Sequence, residues 1–417
     1  MNVNLNAINP IKIFGVPGLL MILAVTYNTI LAFISARGPY IGPVHVAAAE
    51  SFLILFSAAY VGMKIGSYRN ITPPLMFVAA IMMCFFYVSF MNEEFFLKGF
   101  RDMVLIAVFF MIGGLAETKN IISCFRFLAI IIFVFLLIEN YATQFYVYLF
   151  KPAIFYANTR GVELLENDET GLFRNSLGFR GRFSYFMSTH RLSSIFLEQV
   201  SLANFAMILA IFTSTFWDHI KRWDRVLFIV TVVLMVLTNS SRTASFVVMA
   251  VFIGHFVFPL IPRYLNVAFL PGLLLLCWLV FYDPSVEVYN MSDNLKGRVG
   301  HSINFMSRLG ADIFTGGGLD KIEKTGDTGY SYILLTQSIF GLITFWLFTA
   351  LIVPPSDPSR KRFIHGAALY LYINLLIGAA ILSIKVSAPF WFIAGYLYYK
   401  NNEKKIPYYD YNPQQAY

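Results

Sequence analysis

Charge is scarce in this chain: Asp, Glu, Lys and Arg make up 13% of its 417 residues, about half the roughly 25% usual in soluble domains. That excludes an ordinary soluble enzyme, whose surface needs far more polar cover. Histidine, with 6 residues, and cysteine, with 3, are equally thin. Cys84, Cys124 and Cys277 all lie inside apolar runs, so no disulfide framework and no metal-ligand spacing is present. No Asp-x-Asp and no histidine cluster is visible, and no cofactor is expected. The N-terminus lacks a signal-peptide cleavage pattern, so its first apolar run is expected to remain as a signal anchor.

What the chain has instead is apolar side chain, 58% of the sequence, with 17% aromatic. The apolar runs approach the ~20 residues that a membrane-spanning helix needs. They are continuous, without the period-two alternation of a barrel strand, so the expected fold is an all-α polytopic membrane protein. Twelve spans are expected, at 13–34, 44–63, 74–91, 102–116, 121–147, 193–216, 226–238, 243–261, 264–282, 329–352, 363–382 and 386–399. The chain then divides into N-terminal transmembrane helices (1–147), a first large outer loop (148–192), central helices (193–282), a second large outer loop (283–328), C-terminal helices (329–399) and a tail (400–417). The ending "IPYYDYNPQQAY", 406–417, is expected to be disordered.

Orientation follows from Lys and Arg in the short connections. With the N-terminus inside, fourteen fall on the cytoplasmic side, clustered at 221–225 and 360–362, against five opposite: Arg37, Lys98, Arg101, Arg242 and Lys385. Both termini are therefore expected in the cytoplasm. The net charge of +8 follows largely from this bias and is no signal for nucleic acid.

One stretch poses a chemical question. In "RLSSIFLEQVSLANFAMILAIF", 191–212, Arg191 stands immediately before a membrane-length run and Glu198 lies two helical turns inside it. Charge at a helix centre costs ~2.5 to 3.5 kcal/mol on insertion scales, so both are functional candidates. The plainer reading pairs Glu198 with Arg191, seven residues earlier on the same helix face.

Both long connections fall on the outer face, and connections of this length are usually functional or disordered. The first ends in "LFRNSLGFRGRFSYFMSTHR", 172–191, with four arginines, no acid and five aromatics. Outer arginines run against the orientation bias, and their planar fork matches carboxylate or phosphate. The cluster suggests an anionic ligand at the membrane surface. Each arginine taken singly could equally snorkel to lipid or pair with Glu163, Glu166, Asp168 or Glu169. The second connection mixes Arg298, His301, Arg308, a glycine triplet and Asp327. Between the seventh and eighth spans, "LTNSSRTASF", 237–246, forms a tight polar hairpin carrying Arg242, read either as a helix-hairpin cap or as a ligand contact.

Three of these stretches resemble the O-antigen polymerase and ligase superfamily of bacterial polysaccharide assembly. "RLSSIFLEQ", 191–199, is similar to the family's opening of the helix after the first large loop, with Gln199 where proline is expected. "LTNSSRTASF" resembles its Ser-Arg hairpin. "FTGGGLDKIEKTGDTGYSYILLTQSIFGLITF", 314–345, resembles its Gly-rich turn and the helix that follows. The resemblance spans roughly 174–345, and length together with the absence of a soluble domain places the chain nearer the polymerase branch.

The resemblance implies a GT-C-like fold and a glycosyltransferase in the bacterial inner membrane; with no Asp-x-Asp and no histidine ligand cluster in the sequence, it is expected to be metal-independent. Such an enzyme moves a growing glycan from undecaprenyl diphosphate to an incoming lipid-linked repeat unit at the periplasmic face. Membrane lipids surround it, and the chain-length regulator and flippase of the same pathway are its implied partners. Arg191, Arg242 and Arg298, with Arg180 and Arg182, would then meet the diphosphate and stabilise charge on the departing group. The acceptor hydroxyl needs a base, with Asp327, His301, His190 and Glu198 as candidates. Asp327 could instead cap the following helix.

Three rivals remain open. The ligase branch uses the same chemistry with another acceptor. A lipid-linked oligosaccharide flippase or other transporter would be expected to show internal repeats and paired broken helices, and neither is visible. A membrane acyltransferase would need a histidine in the apolar core, where His255 reads as packing.

Overall fold

A computed structural model describes residues 10–164, 170–177, 188–285, 295–325 and 328–403. Among them the regular structure is entirely helical. The candidates Arg180, Arg182 and Asp327 lie outside the described residues, as do Glu166, Asp168, Glu169 and the tail beyond Glu403.

The chain runs α1 (Pro10–Ser35), α2 (Pro43–Met63), α3 (Thr72–Asn92), α4 (Leu97–Gly114), α5 (Thr118–Tyr141), α6 (Thr143–Phe150) and α7 (Pro152–Arg160). It continues through α8 (Gln199–Thr215), α9 (Arg222–Asn239), α10 (Arg242–Val257), α11 (Tyr264–Phe281), α12 (Leu295–Arg308) and α13 (Asp312–Thr315). It closes with α14 (Gly329–Leu351), α15 (Pro358–Ile377) and α16 (Ile384–Glu403). Proline stands in the first turn of α2, α3, α7 and α15, where its missing N–H costs no hydrogen bond.

Every expected span contains a helix. Seven helices are long and apolar enough to cross a membrane: α1, α2, α3, α5, α11, α14, and α10 with its extension to Leu260; α8 is a shorter apolar helix. Their packing explains the hydropathy. α8 is the central helix, buried at every position except Val200. α2 and α11 lie at the margin, burying only four and three residues each, and leave Phe52, Leu55, Leu276 and Leu279 more than half exposed. Apolar patches of that extent are untenable in water, and the protein is membrane-embedded.

α4 and α16 form the closest helix pair. A Cβ on Gly113 would overlap the carbonyl of Phe392, and one on Gly395 the carbonyl of Phe110, so the two backbones touch where glycine leaves room. Small residues at such crossings allow the close approach that drives helix association in lipid.

Hydrogen bonds between elements sort the helix termini into two ends. At one end the C-terminal Asn92 of α3 meets Gly316 and Leu319 of the second long connection, and Lys385 at the start of α16 meets Glu198 just before α8. At the opposite end, basic side chains donate to helix carbonyls: Arg362 to His255 in the last turn of α10, and Arg360 to Leu397 of α16. Arg126 of α5 holds Asp224 of α9 through two 2.7 Å bonds there. Asp357 caps α15; burial works to raise its pKa, but the Arg360 N–H and guanidinium outweigh that and hold it below the usual carboxylate range.

Several expectations need correction. The fifth span, 121–147, is two helices, because α5 ends at Tyr141 and α6 begins at Thr143. The sixth, 193–216, is helical only from Gln199; before it a 3-10 turn at Ser194–Phe196 carries left-handed Ser194 (φ 50°) and Leu197 (φ 59°). Broken helices are present: α1 is interrupted at Gly15 and α14 at Ser338, whose φ of 58° and ψ of −177° are not those of a helix. The long connections are themselves structured in part, the first by α7 and the second by α12, α13 and a 3-10 segment at Leu319–Thr325.

Candidate functional site

The site builds up from segment 188–199, which crosses one end of the bundle between the first long connection and α8. Its first half docks on the hairpin between α9 and α10. Leu192 N–H donates to the Thr238 carbonyl at 3.2 Å, and Arg191 Nε donates to the Asn239 carbonyl at 2.9 Å. Asn239 answers with its amide, whose Nδ2 donates to Leu192 O at 3.0 Å and Gln199 O at 2.8 Å. Ser240 turns left-handed, φ 55°, and Ser241 N-caps α10 by accepting from Ala244 N–H at 3.3 Å. Arg242 is the first residue of α10 and is exposed, while Arg191 is half-buried. Two arginine motifs about fifty residues apart in sequence are thus one structural unit.

The middle of the segment rests on Glu139, near the end of α5 and wholly buried. Its carboxylate accepts from Ser193 N–H at 2.9 Å, Ser194 N–H at 2.6 Å and Ser193 Oγ at 3.0 Å. His190 Nε2 lies 3.9 Å from the same carboxylate. From the other side Tyr146 OH donates to Ser194 O at 2.6 Å, and Thr29 of α1 donates to Ile195 O.

The last residue before α8 is Glu198, and its partners are not those expected. Arg191 and Glu198 do not share a helix, because the intervening residues form the 3-10 turn, and Glu198 pairs elsewhere. Arg160 of α7 donates to both of its oxygens, at 2.8 and 3.2 Å; Lys385 Nζ donates at 2.6 Å and Ser201 Oγ at 2.9 Å. The Lys385 side chain is only 3% exposed, so this pair is truly interior, whereas Arg160 opens to the surface.

Beside this triad lies a second ionic group. Arg101 holds Glu50 of α2 and, at 2.7 Å, its own neighbour Asp102. Asp102 also accepts from Tyr332 OH of α14 at 2.8 Å, and Glu50 accepts from Tyr27 OH of α1. The groups adjoin, since α2, which carries Glu50, packs against α7, which carries Arg160. Three carboxylates and three cations from five segments therefore balance one another at this end of the bundle. The sequence reading singled out only Glu198 among them. Glu50 and Glu139 carried the same signal, an acid inside an apolar run.

The second long connection contributes a third neighbourhood. His301 of α12 is buried, with Nε2 3.1 Å from the Thr325 carbonyl. A carbonyl only accepts, so that nitrogen carries the proton. Arg298 stands three residues earlier on the same helix and is half-buried. Lys321 and Asp312 pair at 2.5 Å across the glycine triplet. Asn92 of α3 clasps this turn from both sides, donating to Gly316 O at 2.7 Å and accepting from Leu319 N–H at 3.1 Å. The first capping residue of α14 is Thr328, without a side-chain bond to the helix.

The structure thus brings Arg191, Arg242's hairpin and Glu198 to one end, and holds Arg298 and His301 on α12 in the second connection. The three cysteines are buried and unpaired. Comparison with protein families, with curated proteins and with solved structures finds no match for this chain.

Proposed function

We propose that this protein is a polysaccharide polymerase of the bacterial inner membrane. It crosses the membrane twelve times with both termini in the cytoplasm, and joins undecaprenyl-diphosphate-linked repeat units at the periplasmic face. The observation that carries the reading is the docking of Arg191 on Asn239. It unites the two arginine motifs at one bundle end, where a lipid-borne diphosphate lies at headgroup depth.

In this reading Arg191 and Arg242 neutralise the diphosphate as the glycosidic bond breaks, and Arg298 supports them from α12. The transfer draws on the glycosyl diphosphate itself, so neither a nucleotide nor a metal is required. Arg180 and Arg182 belong to the same arginine-rich loop and are assigned to the carrier headgroup. The base that takes the acceptor proton comes from the second connection, His301 or Asp327. Glu198 is not assigned that role, because two cations and a hydroxyl already occupy its oxygens.

The test is substitution in cells. Arg191→Ala and Arg242→Ala should each abolish polymer while the protein still reaches the membrane, and lysine at either position should restore little, since it lacks the bidentate fork. Full-length polysaccharide from both alanine variants would overturn the reading.

A further inference from the structure

We infer that Glu139 is a positioning residue. It clamps the Ser193–Leu197 turn and so holds segment 188–199, and with it Arg191, against the α9–α10 hairpin. The docking is a statement about structure. Its catalytic consequence rests on the transfer reaction proposed above.

The argument begins with cost. A carboxylate is expensive to bury unless it is paired and hydrogen-bonded, yet Glu139 is fully enclosed near the end of an apolar helix, with His190 Nε2 at 3.9 Å, beyond hydrogen-bond distance. Its compensation is specific: two consecutive backbone N–H groups and one hydroxyl, all from Ser193 and Ser194. Those donors converge on one point only because Ser194 adopts a left-handed conformation, with Leu197 left-handed at the far side of the turn. For residues with a side chain that conformation is disfavoured, because Cβ crowds the backbone carbonyl. An isolated chain of this sequence would sooner continue as helix, so the carboxylate selects the turn.

The consequence falls on Arg191. Two residues separate it from Ser194, and its backbone and side chain meet the first connection and the hairpin: Arg191 N–H donates to Ser176 O at 3.0 Å, and Nε donates to Asn239 O. Were residues 193–197 helical, as their apolar sequence suggests, the chain would shorten and turn, and Arg191 would leave the hairpin. Glu139 thus lies beneath the site and acts on it only through the backbone.

The experiment uses the full chain in membranes, with Leu192→Cys as reporter; Leu192 is fully buried beside Thr238. Its labelling by an impermeant maleimide should be slow in the parent and roughly tenfold faster with Glu139→Ala, as the closed segment opens more often. Glu139→Gln, which keeps one acceptor oxygen, should fall between, and it carries the test if the alanine variant does not accumulate. Polymer formation supplies the second readout. Glu139→Gln should lower it clearly in the parent and by a smaller factor in an Arg191→Lys background, because coupled residues are not additive. Unchanged labelling, or equal fold losses in the two backgrounds, would overturn the proposal. If no background makes polymer but the labelling contrast holds, the transfer reaction is overturned and the clamp stands.

Discussion

Glu198 shows how one carboxylate changes meaning with its partners. Isolated in an apolar run it looks like a reactive acid; held by Lys385, Arg160 and Ser201 it closes an ion triad between α7, α8 and α16. Removing one partner of a buried pair leaves the other charge uncompensated, at about 3–5 kcal/mol, while replacing both by matched neutral groups costs little. Lys385→Met should therefore lower the melting temperature of the purified protein markedly, and Glu198→Gln combined with Lys385→Met should recover most of it. Arg160→Met should matter less, because its side chain is 41% exposed and water screens the pair. If Glu198→Gln alone abolished polymer without any loss of stability, Glu198 would be chemically engaged and the structural assignment wrong.

Among elements, the α4–α16 contact is the tightest constraint. Gly113 and Gly395 each face a backbone carbonyl of the partner helix, so an added methyl has nowhere to go without separating the helices. Overpacking of this kind costs about 1–3 kcal/mol. Gly395→Ala should destabilise the detergent-solubilised protein by that order, against near neutrality for Gly62→Ala, where no atom lies within reach of an added Cβ. Equal melting temperatures for the two variants would mean the helices do not touch as described.

Hydropathy made the helical class legible: each of the twelve apolar runs holds a helix, and seven helices are long and apolar enough to cross a membrane, where backbone groups have no alternative to internal hydrogen bonding. It could not locate the start of α8. Leu192, Ile195, Phe196 and Leu197 are as apolar as the helix they precede, and what makes them a turn is Glu139, more than fifty residues earlier. The break in α14 was equally hidden, since Ser338 is neither glycine nor proline. The arginine motifs were readable as local patterns. The ionic network was not, because its six charged members come from segments scattered between Glu50 and Lys385 and only the folded chain assembles them.

At the scale of the whole molecule, the account requires both long connections and the ionic network to face the periplasm. Single cysteines placed at 165 and 320 should react with an impermeant reagent from that side, and one at 222 should not. The reverse pattern would displace every assigned site to the cytoplasm. Broken α1 and α14 weaken one objection to a transporter, since interrupted helices often line substrate paths. They stand first and fourteenth among the sixteen α-helices described, not at corresponding places in two halves. A transporter would move lipid-linked units without joining them, and that difference is directly measurable.

The most direct test is to give the purified protein synthetic lipid-diphosphate repeat units alone, in EDTA, and to measure glycan length. The account predicts extension, because the glycosyl diphosphate already stores the free energy of transfer and Arg191, Arg242 and Arg298 supply the positive charge that meets the leaving diphosphate. Loss of one such contact should slow extension by ~10² to 10³. Absence of extension under all conditions would contradict polymerase activity. Strict dependence on Mg²⁺ or Mn²⁺, restored on adding the ion back, would show that the electrophilic role belongs to acidic residues such as Asp312, Asp320 and Asp327 and not to the arginines.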